Sequence, residues 1–338
     1  MLRIACALLT LAVGIATAGD TLIVLNKSDA TASLLDPVSG QELALIDVGV
    51  GPHEVAVSPD GATAVVCNYG QQTPGGSLTV IDLNERRAVK TIELVGYHRP
   101  HGIQYIDDRR VLVTAEAEKK LLVVDVPTGA IESAFITGEE LSHMVAFDAR
   151  TNRAFVANIV SGSCSVIDLQ TGELVRIIDT GAGAEGVAVH PAKNEVWVTN
   201  RQGNTITIID TESLETLSDI RCGTFPIRVT FTPDGSMALV SCAMSGQVEV
   251  YSGRDYSKIK TIDMALEASD DQEGRLFNTA QGPVPVGILV NPAGTTAYVA
   301  NTNADIVTVI DLKTLEITGR MRAGKEPDGM AWSSIEDD

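Results

Sequence analysis

Basic side chains are scarce in these 338 residues: 25 Lys and Arg stand against 44 Asp and Glu, for a formal net charge of -19. Non-specific attraction to phosphate backbones needs clustered cations, so nucleic acid is not an expected partner. Long apolar runs are confined to the N-terminus; after Ala18 no segment reaches the roughly 18 to 20 residues that cross a bilayer. Cysteines are few and never spaced as C-x-x-C, which gives a thiolate zinc site or a dithiol redox motif no support. Neither G-x-S-x-G nor H-E-x-x-H occurs, and no phosphate-binding glycine loop follows a strand. The local signatures of several enzyme classes are therefore missing, and chemistry must come from residues brought together by the fold.

The first eighteen residues read as an export signal. Arg3 gives a positive start, Ile4 to Ala16 an apolar core, and Ala16-Thr17-Ala18 a small-residue cleavage site. The expected mature chain is one domain, residues 19–338, periplasmic or secreted, with no membrane span. Cys67, Cys164, Cys222 and Cys242 survive processing, an even number for an oxidising compartment. Three complete pairings are open. Cys222 and Cys242 end strands on one face of adjacent units and are expected to approach bridging distance; Cys164 reads equally well as a small buried residue.

What the chain has in abundance is repetition. Seven apolar strands end in an acid or its stand-in: Leu-Leu-Asp36, Val-Ile-Asp82, Val-Val-Asp125, Val-Ile-Asp168, Ile-Ile-Asp210, Val-Tyr-Ser252 and Val-Ile-Asp311. Intervals of 46, 43, 43, 42, 42 and 59 residues, with several short strands in each, are the pattern of an all-β, seven-bladed β-propeller with four antiparallel strands per blade. Ser58-Pro-Asp-Gly61, Thr232-Pro-Asp-Gly235 and Asn291-Pro-Ala-Gly294 suit type I turns between first and second strands. The N-terminal unit lacks an inner strand and Gly329-Met-Ala-Trp-Ser333 is a lone one, so the two ends are expected to share a blade.

The phrases Trp197-Val-Thr-Asn200, Tyr298-Val-Ala-Asn301, Phe155-Val-Ala-Asn158 and Val65-Val-Cys-Asn68 carry a resemblance to the YVTN β-propeller repeats over essentially the whole mature chain. Blade three departs with Leu112-Val-Thr-Ala115, and blade six ends its phrase in Cys242. The resemblance implies the fold; relatives of this kind are similar to surface-layer proteins, lactonases, haem d1-binding domains and exported proteins of unassigned role. WD40 and Kelch signatures, and the tryptophan-docking motifs of quinoprotein propellers, are absent.

Ligands of propellers gather at the mouth of the central channel. Two positions before each inner strand stand His53, His101, His143, Glu185, Ile227, Val286 and Asp328, so three of the five histidines share one column in consecutive blades. Neutral imidazoles from His53, His101 and His143, with Glu185, are a candidate ligand set for one divalent cation, with zinc, copper and iron not separable by donor type. The competing reading is a wet polar funnel. Asp328, Arg228, His98, Arg99, Arg201 and Tyr69 fall on the same face and suit a small anionic or metal-linked ligand. Arg228 stands where other blades have glycine: Gly102, Gly186, Gly287 and Gly329. An insertion from Glu267 to Gln281 is expected near the mouth as a lid or a solvated acidic loop, whereas His190 reads as a turn residue on the far face.

These residues favour an exported binding or accessory propeller, serving a partner protein in the periplasm. The alternatives are a lactonase- or lyase-type enzyme using the same site, and a protein-interaction scaffold.

Overall fold

A computed structural model describes residues 19–266 and 282–335. The expected export signal and lid segment lie outside the described residues. Twenty-eight strands make seven four-stranded sheets, all paired antiparallel, and no helix occurs among the described residues. The all-β seven-bladed propeller expected from the repeat is what the chain forms.

Strand identity follows from burial. Second and third strands, such as Glu195–Asn200 and Ser163–Asp168, are buried along nearly their whole length because neighbouring blades cover both sheet faces. Outer strands such as Arg87–Glu93 are largely exposed and carry charge, which suits an unpaired sheet edge.

Two recurrent devices hold the blades. The acid that ends each third strand turns the chain into the outer strand: Asp210 Oδ1 accepts the backbone N–H of Glu212 at 3.0 Å and of Ser213 at 2.7 Å. Asp36, Asp168 and Asp311 do the same, and Ser252 substitutes its hydroxyl, accepting from Arg254 at 3.2 Å. The repeat is thus a recurring side-chain-to-backbone turn, an Asx turn at Asp36, Asp168, Asp210 and Asp311. The second device is the phrase that ends the second strand. Its Asn binds the third strand, as Asn200 Nδ2 donates to Thr207 Oγ1 at 3.0 Å. Its hydroxyl residue reaches the next blade. Thr114 donates to the His143 carbonyl at 2.6 Å, Thr199 to that of Ile227 at 3.3 Å, and Ser241 to that of Val286 at 2.7 Å.

The ring closes as expected. Pro327–Ser334 is the inner strand of the blade whose other strands are Asp20–Asn26, Thr31–Leu35 and Glu42–Asp47, with Leu22 opposite Trp332, Ile23 opposite Ala331 and Val24 opposite Met330. Every inner strand touches the inner strand of each neighbouring blade. His190, on the far face, takes the expected turn role: its Nδ1 accepts from the N–H of Ala192 at 3.0 Å and of Lys193 at 3.1 Å.

Candidate functional site at the channel mouth

Because all inner strands enter from one face, the residues that open them converge on the channel mouth. His101, His143, Glu185 and Asp328 are each less than a tenth exposed there. The imidazoles form a line: His53 and His101 have ring centroids 5.0 Å apart, and His101 lies on His143 at 3.6 Å. His143 Nδ1 is hydrogen-bonded to Glu116 Oε1, while its Nε2 stands 3.5 Å from Glu185 Oε1. The other Glu116 oxygen accepts from the Tyr69 hydroxyl at 2.7 Å. His53 Nδ1 lies 2.8 Å from the Gly51 carbonyl, which can only accept, so the proton is on Nδ1 and Nε2 keeps its lone pair.

Charge within this buried line is divided unequally. Burial pushes the His53 imidazole down to about 4, and burial together with the charge of His143 pushes His101 well below its ordinary value. His143 goes the other way: against the penalty of burial, the Glu116 carboxylate raises it to about 9. Against burial, the bond to His143 holds Glu185 below the usual carboxylate range, and the ammonium of Lys27, 3.1 Å away, does the same for Asp328. His143 is thus favoured as an imidazolium between Glu116 and Glu185.

Across the channel, Glu54 and Arg228 form a largely buried ion pair although they are 174 residues apart. Both occupy the slot that is glycine in other blades. A Cβ at Gly102 would stand 2.6 Å from the His143 carbonyl oxygen, and one at Gly287 or Gly329 would run into the carbonyl of Asp328 or His53. Glycine therefore lets adjacent inner strands close up; of the three blades that depart from it, with Glu54, Met144 and Arg228, two send charged side chains across the opening. Arg228 also lies 3.8 Å from Glu185 Oε1.

The residues expected from sequence fall into two groups. His53, His101, His143, Glu185, Asp328, Arg228, Arg201 and Tyr69 come together at the mouth; Arg201 donates to Glu185 at 2.8 Å and lies over the Phe225 ring. His98 and Arg99 stay on the rim, His98 2.8 Å from Glu118 and Arg99 over Tyr69, its guanidinium donating to the Gln71 carbonyl at 2.7 Å. The group able to hold a cation differs from the expected set: ligand atoms of His101, Glu116 and His143 lie within 4.8 Å of one another, without His53 or Glu185.

Glu116, Lys27 and Glu54 escape the sequence reading. The first two follow the second-strand phrase, at the position that is Lys27, Tyr69, Glu116 and Arg201 in blades one, two, three and five. Aligning that position, as well as the one before the inner strand, brings them out. Glu54 sits in the same glycine slot as Arg228.

No protein-family model matches the chain. It is 23% identical over 194 residues to the uncharacterized protein YncE of Salmonella typhi and to that of Salmonella typhimurium. The match covers 56% of this chain and 54% of theirs, so the chain spans about half the length of the curated relatives it matches. Among solved structures, Kuenenia stuttgartiensis hydrazine synthase superposes with a TM-score of 0.72 at 19% identity, over 86% of this chain and 92% of that one. A functionally unknown protein from Desulfotomaculum acetoxidans gives 0.74 at 15% identity, over 94% and 99%. At such identities the likeness establishes the propeller fold.

Proposed function

We propose that this chain is an exported, YVTN-type binding propeller that holds one divalent transition-metal cation, or a small ligand carried on it, through His101, Glu116 and His143. The observation that carries this reading is the convergence of those three buried ligand atoms within 4.8 Å. Two imidazoles and a carboxylate suit zinc, copper or iron. At metal–ligand bonds of about 2.0 to 2.1 Å the donors would stand about 3.3 Å apart, so binding draws the side chains together. His101 Nδ1, buried with no hydrogen-bond partner among the described residues, fits a group reserved for a ligand. The Tyr69 hydroxyl fixes the Glu116 carboxylate from behind, as outer partners do at metal sites.

The lactonase- or lyase-type alternative asks a metal or Arg228 to polarise a carbonyl, with a histidine or Glu185 moving the proton. Glu54 already holds the Arg228 guanidinium, which leaves the polarising role in that alternative to a metal.

The test is titration with zinc or cobalt(II) of the wild type, His101→Ala, His143→Ala and His190→Ala. One equivalent should bind the wild type and the His190 variant, and the other two should lose at least tenfold in affinity. The His143 imidazolium, at about 9, must release a proton to solvent for its nitrogen to bind the metal, so affinity should climb by up to about tenfold per pH unit from pH 7 towards 9. Equal binding by all four proteins, or binding by none, would sink the proposal.

A further inference from the structure

One cluster of reactive side chains lies outside the channel and serves nothing described so far. Cys222 follows the outer strand of blade five, Thr216–Arg221, and Cys242 closes the second strand of blade six, Met237–Cys242. Packing of the two blades sets the thiols side by side. Cys222 packs against the buried cluster that contains Cys242. The intervening backbone is as close: a Cβ on Gly223 would stand 2.9 Å from both Cβ and Sγ of Cys242. Both are free thiols in the structure, as are Cys67 and Cys164, which are buried in two other clusters.

We infer that Cys222 and Cys242 are the site of an intramolecular disulfide, made by exchange with a small-molecule or protein disulfide. Cys222, the more exposed of the two, loses its proton and attacks one sulfur of the oxidant, releasing the first thiol. Cys242 then attacks the Cys222 sulfur of the mixed disulfide and releases the second. Two S–H bonds are lost from the protein and one S–S bond is gained, while the oxidant's S–S bond is reduced to two thiols.

The surroundings give the bond a structural rather than a catalytic character. The Glu249 carboxylate beside the pair accepts from the Tyr251 hydroxyl, from Lys258 Nζ at 2.5 Å and from the Gly223 N–H at 3.0 Å. The neighbouring Cys222 side chain, burial and the Glu249 charge hold the Cys242 thiol far above its ordinary range. A thiolate is unwelcome at Cys242, so the pair is a poor soft-metal site and the first attack falls to the more exposed Cys222. Oxidation removes the ionisable protons and the conflict with Glu249 together. The bridge would span residues 222 to 242, which include Phe225, the ring under Arg201, and Arg228 itself. It ties blade five to blade six beside the channel without touching the imidazoles.

The folded mature chain is incubated with oxidised glutathione, digested without reduction and mapped by mass spectrometry. A single cross-linked peptide joining residues 222 and 242, lighter by two hydrogens than its parts, is expected. Cys67 and Cys164 should remain alkylatable once the chain is unfolded. Cys164→Ser should keep the cross-link, and reduction should lower the melting temperature of the wild type by several degrees and leave Cys222→Ser unmoved. Full alkylation of both thiols after oxidation, a stable glutathione adduct on Cys222, or a bridge to Cys67 or Cys164 would each overturn the inference. The mapping of wild-type protein decides the matter even if Cys222→Ser does not fold.

Discussion

His143 makes stability depend on pH with a definite sign. Its folded value of about 9 lies above the ordinary 6.5, so its contribution is fully present below pH 6.5 and is lost as pH rises through 9. Denaturation of metal-free protein at about pH 6 and about pH 10 should show a loss on the order of 3 kcal/mol, largely absent in His143→Gln; equal profiles for the two proteins would refute this. His53, folded at about 4, acts in reverse, its contribution present above pH 6.5 and lost as pH falls through 4. The cross-channel pair predicts strong coupling. Arg228→Met leaves Glu54 buried without its cation and should cost about 3 to 5 kcal/mol, most of it recovered by adding Glu54→Met. Urea unfolding of the four proteins completes that cycle, and additive losses would deny the pair its role. The histidine column was legible because repeats put equivalent residues at equivalent places. The Glu54–Arg228 pair was not, because only ring closure brings together residues 174 apart.

Elements were the most legible level, since each turn is written locally. Asp36, Asp168, Asp210 and Asp311 are held below the usual carboxylate range chiefly by the backbone N–H three residues on, and Asp125, at about 2, chiefly by the Thr128 hydroxyl. What single strands conceal is how a blade grips its neighbour. Thr199 accepts the Gly186 N–H at 2.8 Å and donates to the Ile227 carbonyl, so one buried hydroxyl serves two blades. Thr199→Val keeps the shape and strands the Gly186 donor. The expected loss is about 1 to 3 kcal/mol, read from the urea midpoint, against little change for an exposed threonine such as Thr261; an unchanged midpoint would mean that the hydroxyl clips nothing.

For the molecule as a whole, closure rests on the last strand. Removing residues 329–338 takes most of that strand from the shared blade and uncovers the edge of Asp20–Asn26, so the truncated chain should aggregate or become protease-sensitive. Size-exclusion chromatography and thermal melting check this, and a monomer of unchanged midpoint would contradict the closure scheme. The in-sheet pairing of Leu22 with Trp332 has a further consequence, in time rather than in space. Six blades are continuous in sequence and can form from local hairpins, but the seventh has to wait for a partner about 300 residues downstream, across the longest loop closure in the chain. A chain synthesised from its N-terminus therefore carries an unpaired sheet edge on Asp20–Asn26 until its final strand arrives, and that interval is when the seam is most open to wrong pairing.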